Sequence, residues 1–428
     1  MNFANWPFIS PANRLPVEEE RWWETCYLPS AEQSLAEGYS QGCVILGDYQ
    51  SGRSTLLAAL KRSSQPYFLV VEDDYLSQPA QESPPGNALY RLIRQAVWTI
   101  REHLCKRPEL LAQIHSRTIL EFLRWGIEKF HGRRAFLRWL DRVPEDIAAQ
   151  FNDMPFEDFY PTQQEMRDVQ GQIEELINLS QKLGYQGVLY LVDVTPFPSP
   201  AQIKELQALL GWRELMHHHG LKLLLALPPI LPRVEIQRLL RDRLPILEMT
   251  ESREFIWTVI SRHLKAASDG QIQSLEQICE PVLLQRLEDL LKEEFGRAPL
   301  GGWLRLAGLI MGLINNLNEP LKEESFETIR RLYFTHFCPL HSDPDPARLG
   351  IWRGYRWIEL ERSLYEFLQM LAQASHPVDH TVARTTKSNL HTLASRLRKA
   401  IEPAKEYIYI KNTKGEGYIL ENYSPIFL

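Results

Sequence analysis

The sequence predicts an α/β fold: a parallel sheet with crossover helices, a helical insertion and a helical lid, followed by a small α+β domain. Three observations carry this. Short β-rich apolar runs alternate with helical patterns between Gly42 and Thr250. Apolar stripes at i, i+3, i+4 spacing then run from Glu251 to Phe337. From Ile351 onward come short strands, two amphipathic helices and a closing hairpin.

The apolar runs Cys43 to Leu46, Tyr67 to Val71, Val188 to Val192, Leu221 to Leu227 and Pro245 to Met249 are the expected strands. They lack polar alternation, as strands buried on both faces do. Between the second and third lies a mostly helical stretch, about 78–185, including "ALYRLIRQAVWTIREHL" and "RDVQGQIEELINLSQKLG". It reads as an elaboration of a core spanning 1–250. Residues 251–340 form the lid, and the proline- and acid-bearing "LHSDPDPARLG" places a linker at 341–349. Residues 350–428 make the last domain.

A length of 428 residues with 44% hydrophobic and 24% charged is enough for several globular domains. The net charge of −6 excludes a generally polyanion-seeking surface, so any nucleic-acid contact requires a local basic patch. Five scattered cysteines form neither a disulfide framework nor a metal-binding pattern, which points to a reducing cytoplasmic setting. No export signal or membrane segment is expected, because the apolar runs fall short of the ~18 residues a spanning helix needs.

The stretch "GDYQSGRST", Gly47 to Thr55, follows a strand and opens a helix. Such a turn aims backbone N–H groups and a helix dipole at one point, where phosphate sits. Gly47 and Gly52 have the spacing of G-x-x-x-x-G-K-[ST], with Arg53 at the lysine position and Ser54 where a hydroxyl ligates Mg²⁺. Downstream, "GVLYLVDVTP" ends a strand at Asp193, the kind of aspartate that holds the metal, followed by Val194.

In motif order, "NWPFISPANR", "GDYQSGRSTLL", "LINLSQKLGYQGVLYLVDV", "LKLLLALPP" and "RDRLPILEMTESREFIWTVISRHLK" are similar to STAND and related AAA+ ATPases, over roughly residues 5 to 340. The resemblance implies a P-loop NTPase core, with Gly47, Gly52, Arg53, Ser54 and Thr55 holding ATP or ADP and with Ser54 and Asp193 on Mg²⁺. Two departures fall on the chemistry. Arginine binds phosphate as a planar fork, not as a point charge, and Val194 replaces the glutamate that often follows the aspartate and orients water. The expectation is therefore nucleotide binding with little hydrolysis and no catalytic residue. Arg238, Arg241 and Arg243 stand where related proteins place an arginine near the γ-phosphate, or form a solvated helix end. Glu72, Asp73 and Asp74 read as an exposed acidic turn.

In the last domain Leu390, Leu393, Ala394, Leu397 and Ile401 line one helix face, leaving Ser388, Asn389, His391, Thr392, Ser395, Arg396 and Lys399 outward. These are residue types that read base edges and phosphates. The helix "SRLRK" and the wing "GEGY" resemble the OmpR-type winged-helix effector domain of response regulators. That resemblance implies contacts with double-stranded DNA through Asn389, Thr392, Arg396 and Lys399 on the helix and Lys411 and Lys414 on the wing. Eight basic residues against Glu402 and Glu406 between Thr381 and Lys414 supply the local patch. Arg398 reads as structural as readily as a DNA contact.

The alternatives are an active ATPase on DNA, or a scaffold subunit of a prokaryotic defence or mobile-element complex built on protein contacts or self-assembly. His217, His218 and His219, and the group His336, Cys338 and His341, read as surface or structural residues, since neither has the spacing of a metal site. "RWWETCY" reads as N-terminal packing or a partner surface.

Overall fold

The computed structural model describes residues 7–8, 16–79, 87–114, 117–143, 145–152, 169–213, 218–314, 319–345, 347–403 and 408–424. Its contacts divide the chain into two compact units: Pro29–Asp48 with Arg53–Met249, and Met1–Leu28 with Tyr49–Gly52 and Thr250–Leu428.

The first unit is α/β. Strands β1 (Gly42–Leu46), β2 (Phe68–Glu72), β3 (Gly187–Asp193), β4 (Leu221–Leu227) and β5 (Ile246–Glu248) form one sheet, all parallel, in the order β2-β3-β4-β1-β5. Alternate strand residues feed two cores. Cys43, Ile45, Leu189, Leu191, Leu224 and Ala226 pack with Leu56, Leu57 and Leu60 of the helix Arg53–Ser64. Val44, Val71, Tyr190, Val192 and Leu225 pack with the helical elaboration, which includes Ala88–Lys106, Arg117–His131 and Val169–Lys182. Burial on both faces explains why the strands read as largely apolar runs, interrupted in β4 by the buried Lys222.

The second unit holds the helices Arg253–Ala267, Pro281–Phe295, Leu300–Leu313 and Phe326–Phe337. It continues into β6 (Leu340–His341), β7 (Gly350–Arg353) and β8 (Arg356–Glu359), an antiparallel sheet, then the helices Arg362–Gln373 and Lys387–Ile401. The antiparallel pair β9 (Ile410–Thr413) and β10 (Gly417–Leu420) closes it, and Val378 forms an antiparallel bridge to Tyr418. Helices before residue 338 and elements after it share one hydrophobic core running from Ile256 to Tyr418.

This core includes residues on both sides of 341–349, the stretch expected to be a linker. Residue His341 belongs to β6, Asp343 accepts hydrogen bonds from Arg348 and Trp352, and Leu340 bridges to Tyr423. Deeper still, Glu294 and Arg353 form a buried ion pair between the helix Pro281–Phe295 and β7. The N-terminal "RWWETCY" serves packing: Trp22 is buried and its indole N–H donates to His263 Nε2. Of "NWPFISPANR", only Pro7 and Phe8 lie among the described residues, and His217 and Lys405 lie outside them.

Candidate functional site

The loop after β1 carries two left-handed residues. Gln50 and Gly52 both lie in the left-handed region, at φ 64° and 83°, with Ser51 between them. Left-handed residues interleaved with others turn successive N–H groups toward a common point. At Gly52 an added Cβ would meet nothing within 4 Å, so the backbone angle, not space, favours glycine there. The helix Arg53–Ser64 starts directly after it and contains no acidic residue in its first turn to occupy the positive end of the dipole.

Ser54, exposed in that first turn, stands close enough to Asp193 at the end of β3 for its hydroxyl to act on the carboxyl. Burial pushes the Asp193 carboxyl above the usual carboxylate range; the Ser54 hydroxyl and the charge of Arg53 pull it back, and Glu72 adds to the rise. The fold therefore brings Arg53, Ser54 and Asp193 together. Gly47 and Thr55 flank them on the loop and in the helix, both half-buried. A hydroxyl beside a carboxylate is a hard-oxygen donor set of the kind Mg²⁺ takes, with most of its shell left to phosphate and water.

Val194 is buried in the core on the side of the helical elaboration, and its N–H donates to Ala226 at 3.0 Å. This position faces packed side chains. The acidic triplet departs from expectation in part. Glu72 is exposed and paired with Lys61 at 2.6 Å, whereas Asp73 is buried. Asp73 accepts from the N–H groups of Tyr75 and Leu76, from the Tyr190 hydroxyl and from Arg91. It is a structural cap, not part of an exposed turn.

Strand polarity decides the arginine question. β5 runs parallel to β1, with Glu248 opposite Leu46, and the loop leaves β1 at that end. Arg241 and Arg243 directly precede β5 and so lie at the opposite end of the strands, where Arg243 donates to the Gly211 carbonyl at 3.4 Å, and Arg238 is exposed on the helix Arg233–Leu240. The solvated helix end is the reading that remains. The sequence reading missed Arg233, which begins the helix Arg233–Leu240 and pairs with Glu248 at the loop's edge of the sheet. Its position after β4 was the available signal.

On the helix Lys387–Ile401, Asn389, Thr392, Arg396 and Lys399 are exposed on the side opposite Leu390, Ala394 and Leu397, and Lys411 and Lys414 are exposed on the hairpin. Thr386 caps the helix by accepting from Asn389 N–H at 3.2 Å. Arg398 is structural: its Nε and Nη2 donate to the Ile410 carbonyl at 3.0 and 2.8 Å, fastening the hairpin to the helix. Arg396 pairs with Glu361 and Lys411 with Glu421, so part of the basic face is internally compensated.

Among the described residues no group of three His, Cys, Asp or Glu side chains is arranged to hold a metal ion, and none of the helices is long and apolar enough to cross a membrane. Cys338 is buried and its thiol is pushed up to about 12, while His341 Nδ1 faces the Ser424 carbonyl at 2.9 Å. No protein-family model matches the chain, and no curated protein matches it.

Proposed function

We propose that this protein is a nucleotide-binding regulator that holds ATP or ADP with Mg²⁺ at the Gly47–Thr55 loop, turns it over slowly, and grips double-stranded DNA with its C-terminal helix and hairpin. The observation that carries the first half is the left-handed pair Gln50 and Gly52 directly before a helix that sets Arg53 and Ser54 beside Asp193. The P-loop NTPase reading draws support from the parallel order β2-β3-β4-β1-β5, with the loop after β1 and the aspartate ending β3. In that reading the loop N–H groups and Arg53 hold the phosphates, and Ser54 and Asp193 hold the metal. Slow turnover follows from two residues: Arg53 brings a broad planar fork where a point charge fits, and Val194 is a core side chain that cannot orient water.

The winged-helix reading of the DNA-binding half rests on the order sheet, helix, turn, helix, hairpin, with Val378 bridging to β10. It is supported by the six exposed polar and basic side chains. A protein-docking role for the same face draws on one specific observation, the Arg396–Glu361 and Lys411–Glu421 pairs.

Two measurements on the full chain test the proposal. Phosphate release at saturating MgATP should stay near background; vigorous release that disappears in Asp193→Ala would replace the regulator with a motor. Duplex DNA should bind with an affinity falling as salt rises, by a log–log slope of about −0.9 per phosphate contacted. Lys414→Ala should weaken all sequences alike, whereas Asn389→Ala should cost about 1–3 kcal/mol at preferred sites only. A folded chain that ignores duplex DNA even at low salt turns the face into a protein-docking surface.

A further inference from the structure

The tip of the loop, Tyr49–Gly52, is built into the second unit. Tyr49 stacks on Tyr355, in the β7–β8 turn, with ring centroids 4.9 Å apart and planes 12° from parallel, and meets Trp352 edge-on at 6.4 Å. The Gln50 carbonyl accepts from Gly301 N–H at 2.9 Å. Gly301 is in the first turn of the helix Leu300–Leu313, where backbone N–H groups have no partner within the helix. Glu251 takes the preceding one, Leu300 N–H, at 3.2 Å. The loop carbonyl thus does for this helix what a capping side chain does elsewhere.

The pair Gly301–Gly302 is otherwise out of place, since glycine is a poor helix former. A Cβ on Gly301 would lie 2.8 Å from Gln50 Cβ and 2.9 Å from its carbonyl oxygen, and a Cβ on Gly302 would lie 2.8 Å from Leu291 Cδ2. Glycine at 301 is what lets the loop approach. Gln50, the residue held there, has a backbone angle that a side-chain-bearing residue adopts at a cost. A strained conformation persists where its surroundings over-determine it, and here a ring stack on one side and a helix N–H on the other do so.

We propose that Tyr355 and Gly301 are positioning residues for the phosphate-holding loop: by fixing Tyr49 and Gln50 they keep the tip in the left-handed form that turns its N–H groups toward an anion. The proposal rests on the nucleotide reading above. Removing the stack lets Gln50 relax, and the loop then spends only part of its time competent to bind, which lowers apparent affinity by that fraction.

The test is calorimetry of MgADP and MgATP binding to the full chain and its variants, each checked for folding by circular dichroism. Tyr355→Ala should weaken binding about five- to tenfold. Tyr355→Phe, which keeps the ring, should bind as the unmodified chain does. Adding Gln50→Gly to Tyr355→Ala should recover most of the loss, because glycine adopts the left-handed angle without help. A purely structural role for Tyr355 predicts no such rescue. Gly301→Ala asks the same question from the helix side and serves if Tyr355→Ala does not fold. Unchanged or tighter binding in folded Tyr355→Ala, or a Tyr355→Phe as weak as the alanine variant, overturns the proposal while leaving the nucleotide site standing. No heat from the unmodified, folded chain with either nucleotide brings down the nucleotide reading itself, and this inference with it.

Discussion

Each unit contains a buried arginine–carboxylate pair, and the two differ in what they join. In the α/β unit Asp73, at the end of β2, meets Arg91 of the helix Ala88–Lys106 at 3.0 Å, and Arg91 reaches on to Glu205. The partners are 18 residues apart, and the pair fixes the root of the helical elaboration to the sheet that it covers. In the second unit Glu294 meets Arg353 and Arg356, and Arg353 also donates to the Ile401 carbonyl at 2.9 Å, at the C-terminal end of the helix Lys387–Ile401. These partners are 59 residues apart and lie on either side of an expected domain boundary. A buried charge pair contributes little beyond an apolar contact, but separating it strands a charge in apolar surroundings. The first pair therefore ties an insertion to the sheet beside it, whereas the second ties together segments on either side of the expected boundary.

That difference predicts a set of graded effects. The largest concerns a fragment of residues 345–428, which lacks β6 and Glu294. It should show no cooperative thermal transition by circular dichroism, whereas 251–428, which keeps the shared core, should. A sharp transition in the shorter piece would restore the domain boundary.

Next, Arg353→Met leaves Glu294 buried with only the peripheral Arg356, and should cost about 3–5 kcal/mol in urea unfolding. Replacing Glu294 by Leu as well should recover most of that, since two apolar residues of similar volume do not strand a charge. Asp73→Ala removes a cap for two N–H groups along with the pair, but Arg91 retains Glu205, so about 3 kcal/mol is expected. Asp73→Asn should cost less, because the amide oxygen still caps.

The smallest effect is a pH dependence. Burial holds the imidazoles of His103 and His131 in the α/β unit, and of His341 in the other, below the usual histidine range; nearby Arg107 and Lys106 reinforce it for His103, and Arg101 and Arg94 for His131. As pH falls through about 6.5 the unfolded chain takes up protons that the native imidazoles still refuse, so stability declines with acidification. His131→Gln should flatten the decline in the full chain's melting temperature, and His341→Gln should flatten that of the 251–428 piece.

Most of this architecture is legible in the residues, for a physical reason. Strands buried on both faces are largely apolar, so β1 to β4 announce themselves even with Lys222 inside β4, and β5 does so despite its three residues. Helix Lys387–Ile401 shows its apolar stripe because one face alone is buried. Of the candidate site, Gly52, Ser54 and Asp193 are readable because backbone angle and hard-oxygen donors restrict the residue type.

Other features are not readable, because the residue types involved carry an everyday meaning. "LLKEEF" looks like the solvated end of an amphipathic helix, yet Glu294 within it is buried. "EDD" looks like an exposed turn, yet its middle residue is a core cap. Gln50 and Tyr49 occupy positions that the loop pattern leaves unspecified, so nothing in the pattern marks them as held.

The sequence by itself determined the periodic features: which segments are strands, which helix faces are apolar, and where a left-handed turn precedes a helix. These depend on neighbours within a few residues, and the chain encodes them locally. Tertiary structure decided three other things. It put Arg241 and Arg243 at the end of the strands away from the loop, through the parallel direction of β5. It merged the helical region and the C-terminal elements into one core around Glu294 and Arg353. And it drew Tyr49 and Gln50 onto Tyr355 and Gly301, some 250 to 306 residues away in sequence. Contacts at such separations depend on how long segments pack, and the composition of either partner alone does not specify them.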